Sequence, residues 1–178
     1  EDAAAKAMEM YDADGDGFIA GEELDNSPAL KASMETLDTD GDGKVSESEI
    51  EARILVWQET RAGLTAIRCK VTVDGRSLED ATVTFEPEEF LGDAIQTAFG
   101  KTNFAGLAAP KIPKEMRPTP DTPPGIQLGL YKVKISKLVN GKETIPSRFN
   151  EETILGQQIA MDDPEIIEQK LVFEIKSK

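Results

Sequence analysis

Two twelve-residue stretches share one pattern: DADGDGFIAGEE at Asp12–Glu23 and DTDGDGKVSESE at Asp38–Glu49. Each sets carboxylates at its first, third, fifth and twelfth positions and glycine at its sixth. Hard oxygen donors in that number suit a calcium ion, which takes about six to eight of them. Asp12, Asp14 and Asp16 in the first loop, and Asp38, Asp40 and Asp42 in the second, would each give one oxygen. The backbone carbonyl of Phe18 or Lys44 at the seventh position would add another, and Glu23 or Glu49 would close the sphere with both carboxylate oxygens. Gly17 and Gly43 permit the positive φ that a side chain resists. For a single copy, an acidic turn without a metal is the plain alternative. Two full copies, each with its glycine and its glutamate, argue against it, and two calcium ions per chain are expected.

The pattern resembles the EF-hand calcium loop, and the flanks agree with that resemblance. Ala4, Met8 and Tyr11 recur at helical spacing before loop one, and Leu30, Met34 and Leu37 do so before loop two. After loop two, Ile50, Ile54 and Trp57 form an apolar stripe, read as the core of the module. Ile19 and Val45, at the eighth positions, are expected to pair in a short antiparallel bridge. The loops start only 26 residues apart. Between them the sequence predicts a stub of exiting helix, then a new helix capped by Ser27 with Pro28 in its first turn. So short a connection leaves little room for the opening motion of sensor EF-hands. The ninth positions, Ala20 and Ser46, leave a coordination site to water. Ser46 can help hold that water where Ala20 cannot, so loop two is expected to be the tighter.

Charge divides the chain at about the same place. Residues 1–62 carry seventeen acids and five bases, net −12, while residues 63–178 carry seventeen acids and fifteen bases, net −2. Repulsion among the loop carboxylates should loosen the first half without calcium, and calcium is expected to stabilise mainly that half. An acidic chain lacks the basic face that nucleic acid requires. No stretch reaches the ~20 apolar residues of a membrane helix. Cys69 is the single cysteine, so no internal disulfide can form, and its phase in an apolar alternation predicts a buried, inert thiol. The chain begins at Glu1 without methionine, as after removal of a leader or trimming.

Gly63 is expected to end the last helix of the first half, after which the apolar period drops from 3.6 to 2. Ile67, Cys69, Val71 and Val73 alternate with polar residues up to the turn Asp74-Gly75. Ala81, Val83 and Phe85 repeat the alternation. Ile95, Thr97 and Phe99 predict a third strand, and Ala105–Ala108 a short fourth. Six prolines in the fifteen residues 110–124 impose a loop. Tyr131, Val133 and Ile135 then alternate with Lys132 and Lys134. A strand near Lys137–Ile145 bends at Asn140-Gly141, and Leu171, Phe173 and Ile175 close the chain. With no helical stretch among these strands, the expected fold class is α+β. Residues 1–62 are expected to form a helical EF-hand pair and residues 66–178 an antiparallel β-sandwich of prealbumin or immunoglobulin type.

The run CKVTVDGRSLEDATVTFEP resembles the opening of carboxypeptidase-regulatory-like, or transthyretin-like, domains: a strand, D-G-x-x-L, then A-x-V-x-F. Thr102-Asn103-Phe104-Ala105-Gly106 is similar to their T-D-x-x-G turn, with asparagine for aspartate. Pro124-Gly125 with Leu130-Tyr131-Lys132-Val133 resembles their P-G-x-Y-x-V strand, and Ile145-Pro146-Ser147-Arg148-Phe149-Asn150 the I-P-x-K-Y-N segment of bacterial members. An insertion around residues 109–129 departs from that family. What the resemblance implies is a bacterial protein exported to the periplasm, cell surface or medium, or held there as a lipoprotein, with a role in adhesion or assembly.

Enzymatic relatives of that sandwich rely on histidine, for acid–base work or for iron. This chain has no histidine, the commonest group for both tasks. Glu88-Glu89 beside Asp93 could be imagined as a carboxylate pair for glycoside hydrolysis; an acidic solvated loop accounts for them more simply. Three readings follow. The first is a non-enzymatic exported protein whose calcium-stiffened EF-hand pair precedes a β-sandwich that meets a protein or cell-surface partner. The second is a calcium sensor that modulates a protein partner. The third is a carbohydrate-binding or carbohydrate-active protein, against which the sparse aromatics (one Trp, two Tyr) count.

Overall fold

A computed structural model describes residues 2–177. Glu1 and Lys178, the outer limits of the two expected domains, lie outside the described residues. The chain folds as α+β, with helices and paired acidic loops first and β-sheets after them.

Helix α1 (Ala3–Tyr11) opens on Asp2, whose side chain accepts the amides of Ala4 and Ala5. It leads into loop one, which contains strand β1 (Phe18–Ile19). A 3-10 turn, Gly21–Asn26, replaces a full exiting helix. Ser27 then caps α2 (Pro28–Ala32), accepting the Leu30 amide, with Pro28 in the first turn as expected. After a break at Ser33, α3 (Met34–Leu37) enters loop two, which contains β2 (Val45–Ser46). The bridge expected between the loops is present, with Ile19 opposite Val45. Helix α4 (Glu47–Thr60) follows. Arg61, in the left-handed region at φ 47°, ends it two residues before Gly63, where the sequence placed the stop.

The β half comprises β3 (Cys69–Val73), β4 (Arg76–Ser77), β5 (Thr82–Pro87), β6 (Ala98–Lys101), β7 (Leu107–Ala108), β8 (Gly129–Ser136), β9 (Leu138–Val139), β10 (Lys142–Glu143), β11 (Gly156–Ile159), helix α5 (Pro164–Ile167) and β12 (Leu171–Ile175). One sheet runs β11-β8-β5-β6. The other runs β12-β3-β4, with β7 also on β3. Their inner faces share one core, in which Phe85 of β5 meets Phe173 of β12 edge-on, ring centroids 6.0 Å apart. Each such side chain, once buried, contributes about 1.5–3 kcal/mol. Both expected hairpin turns form: Asp74-Gly75 joins β3 to β4, and Asn140-Gly141 joins β9 to β10. All four residues have positive φ, as a tight two-residue turn requires.

Four expectations are corrected. The β half is not wholly antiparallel, because β12 runs parallel to β3 along its length. A parallel pair needs a long crossing connection, and here the intervening strands of the other sheet provide it. The third strand starts at Ala98, not Ile95. Residues 93–96 are instead held in a turn by Gln127, which accepts the Gln96 amide at 2.7 Å and donates to the Ala94 carbonyl at 2.8 Å. Strand β11 was not foreseen, since Gly156-Gln157-Gln158 shows no apolar alternation. Helix α5 interrupts the strands, opened by Asp163 accepting the Glu165 amide at 2.8 Å.

The helical half sits on the outer face of β11 and β8. Leu130, Lys132, Gly156 and Gln158 share that face by register, and α2 lies against it. A Cβ built on Gly156 would fall 2.0 Å from the Pro28 carbonyl oxygen. Only glycine permits so close an approach. No helix among the described residues is long and apolar enough to cross a membrane.

Candidate metal centre

The structure brings each aspartate triad together. The carboxylate oxygens of Asp12, Asp14 and Asp16 lie within 4.8 Å of one another, and so do those of Asp38, Asp40 and Asp42. The backbone produces this convergence. Asp12 is the C-cap of α1, its amide bonded to the Met8 carbonyl at 3.0 Å, and Asp38 closes α3 through Met34 at 2.9 Å. Each first aspartate then folds the loop around its own carboxylate. Asp12 Oδ1 accepts Gly15 N–H at 2.8 Å and Asp16 N–H at 3.2 Å, while Oδ2 accepts Gly17 N–H at 3.0 Å. In loop two Asp38 accepts Gly41, Asp42 and Gly43 at 2.8, 3.0 and 2.9 Å. Gly17 and Gly43 stand at φ 89° and 82°, the conformation that reserves the sixth position for glycine.

The twelfth-position glutamates return to the start of their loops. Glu23 Oε1 accepts the Ala13 and Asp14 amides at 2.8 and 3.3 Å, and Oε2 accepts the Ala20 amide at 3.0 Å. Glu49 Oε1 takes the Thr39 amide at 2.8 Å and hydroxyl at 3.1 Å, and Oε2 the Ser46 amide and hydroxyl, both at 2.9 Å. The Ala20 amide, with help from Ala13 and Asp14, holds the Glu23 carboxyl below the usual carboxylate range. At Glu49 partial burial pushes upward, and the bonds from Ser46 and Thr39 outweigh it. Both glutamates are thus poised as anions beside their triads.

The seventh-position residues, one glycine beyond the triads, also tie the loops together. Lys44 Nζ lies 3.2 Å from Asp16 Oδ2 and 4.5 Å from the centre of the Phe18 ring. Ser46 does more than the sequence reading gave it: its hydroxyl also accepts the Glu49 amide at 3.3 Å, closing a reciprocal cap at the start of α4. Ala20 has no such hydroxyl, so only loop two fixes its glutamate by a side chain.

The donor set fits a calcium ion. Asp12, Asp14, Asp16 and Glu23 would hold one and Asp38, Asp40, Asp42 and Glu49 the other, with the Phe18 and Lys44 carbonyls completing each loop. A bound ion would neutralise the crowded carboxylates and hold each loop closed.

Residues 5–26 and 30–55 match the EF-hand family model. That match takes in both loops and much of the helices around them. No curated protein matches the chain.

Several residues that support the site were missed by the sequence reading. Glu88, taken as part of a solvated acidic loop, is fully buried. Arg53, between Ile50 and Trp57 on the inner face of α4, is 8% exposed. Its Nε donates to Gln158 Oε1 at 2.8 Å, and its two terminal nitrogens donate to the Asp162 carboxylate at 2.7 Å each. Their partners in the opposite half of the chain lie 59 to 109 residues away, beyond the reach of any local pattern. Cys69 is buried as expected, and desolvation pushes its thiol up to about 12.

Proposed function

We propose that this protein binds two calcium ions through its paired loops, and that the ions stiffen an acidic cap seated on a non-enzymatic, exported β-sandwich. The observation that carries the reading is the repetition. Two loops with identical carboxylate spacing fold through matching sets of aspartate–amide bonds, and both fall within EF-hand matches. A structural role is favoured over a sensor because the elements that would have to swing apart are fastened to the β half. Arg53 fastens α4 to Asp162, and the Pro28–Gly156 approach seats α2. The placement of β3 and β5 in the run that resembles transthyretin-like domains supports that reading of the second half. Export and an adhesive or assembly role toward a protein or cell-surface partner follow from the same resemblance. The lack of histidine supports a non-enzymatic role. Metal analysis after dialysis against calcium and removal of free ion tests the core of the proposal. Two calcium ions per chain are expected, and a metal-free protein would overturn it.

A further inference from the structure

Glu88 follows β5, on the β half, and its side chain is 0% exposed. A carboxylate taken out of water is costly unless its oxygens are satisfied. Here the satisfaction comes largely from the calcium-loop half. Oε2 accepts the Tyr11 hydroxyl at 2.9 Å and lies 3.5 Å from Lys132 Nζ. Oε1 accepts the Ser27 hydroxyl at 2.9 Å and the Ala29 amide at 3.4 Å. Tyr11 is the residue immediately before Asp12. Ser27 caps α2, which runs through α3 to Asp38. Burial and the neighbouring Glu88 carboxylate raise the Tyr11 phenol well above its ordinary value, so it remains a donor.

We propose that Glu88 is a positioning residue for both calcium loops, a joint that fixes the lead-in helix of each and so links ion binding to the fold of the β half. The inference rests on the calcium reading above. Asp12 ends α1 directly, and Asp38 ends α3, which follows α2 after the break at Ser33, so the direction of each first ligand follows the helical segment that precedes it. Through Tyr11, Glu88 sets the end of α1; through Ser27 and Ala29, it sets the start of α2. The Phe90 ring, edge-on to Tyr11 at 6.2 Å, holds the phenol in place from the β side. Binding linkage is reciprocal. If the joint improves the sites, calcium must tighten the joint, so its effect does not stop at the helical half.

The test uses the full chain titrated with calcium alone. Calorimetry gives affinity and stoichiometry, and the amide resonances of Gly17 and Gly43 report each loop separately. Tyr11→Phe removes one hydroxyl and keeps the ring. It should weaken loop one by about fivefold or more while leaving loop two within about twofold. Ser27→Ala should do the reverse, and Glu88→Gln should weaken both, with two ions bound throughout. Equal weakening of both loops by Tyr11→Phe would mean general loosening and would overturn the joint, as would unchanged affinities in all three variants. Tyr11→Phe decides the matter alone if the other two fail to fold. Wild-type protein that takes up no calcium would instead overturn the proposed function itself.

Discussion

Gly156 of β11 and Pro28 of α2 are in backbone contact, so close that a Cβ on Gly156 would lie 2.0 Å from the Pro28 carbonyl oxygen. This contact seats the helical half on the sheet and lets Glu88, Gln158 and Asp162 reach their partners. Gly156→Ala must therefore push α2 off β11. Overpacking of this kind costs about 1–3 kcal/mol, and urea denaturation should show a loss in that range. A midpoint equal to that of the wild type would contradict the contact.

The Arg53 pair gives the junction a pH dependence. Hydrogen bonds from Arg53 hold the Asp162 carboxyl below the usual carboxylate range. A group whose folded pKa is depressed contributes stability above its unfolded pKa, about 3.9, and loses it as pH falls through the folded value. The Asp162 side chain is 55% exposed, so solvent screening keeps the contribution small. Comparing wild type with Asp162→Asn, the stability gap should be full at neutral pH and shrink below about pH 4. Parallel curves over that range would refute the coupling.

Much of this was written in local pattern. The converging aspartate triads, the Ser27 cap, the Ile19–Val45 bridge and the two tight turns depend on residues a few positions apart, where spacing and φ preference suffice. The junction was not legible. Glu88 looked like one more acid in an acidic chain, because what buries it arrives from distant segments, as do the partners of Arg53. Strand β11 was hidden for the same reason. Its Gln158 is buried by Arg53 and Thr36 of the other half, so it never needed to be apolar. One buried cluster and the Glu88 contacts tie the helical half to the sheets, a link that spacing along the chain does not reveal.

Loop two should bind calcium more tightly than loop one, because Ser46 fixes Glu49 while Ala20 leaves Glu23 without a side-chain partner. A single hydrogen bond of this kind is worth about 0.5–1.5 kcal/mol. Ser46→Ala should accordingly weaken loop two by about two- to tenfold, with loop one unaffected. Titration followed at Gly43 and Gly17 separates the two, and an unchanged loop two would remove Ser46 from the account.

Calcium should uncover no apolar groove. Trp57 is 7% exposed, on a helix whose Arg53 is anchored to the β half. Binding of a hydrophobic dye should be no greater with calcium than without, and Trp57 emission should not shift to longer wavelength. A strong calcium-induced rise in dye binding together with a red shift would favour the sensor reading.

Calorimetric titration of the wild type beside Glu23→Gln and Glu49→Gln tests the central claim most directly. Each glutamate closes one loop, so the wild type should bind two calcium ions, and each variant should keep one site while the other loses most of its affinity. Two full-affinity sites in either variant, or no calcium uptake by the wild type, would contradict the assignment of these loops as the metal centre.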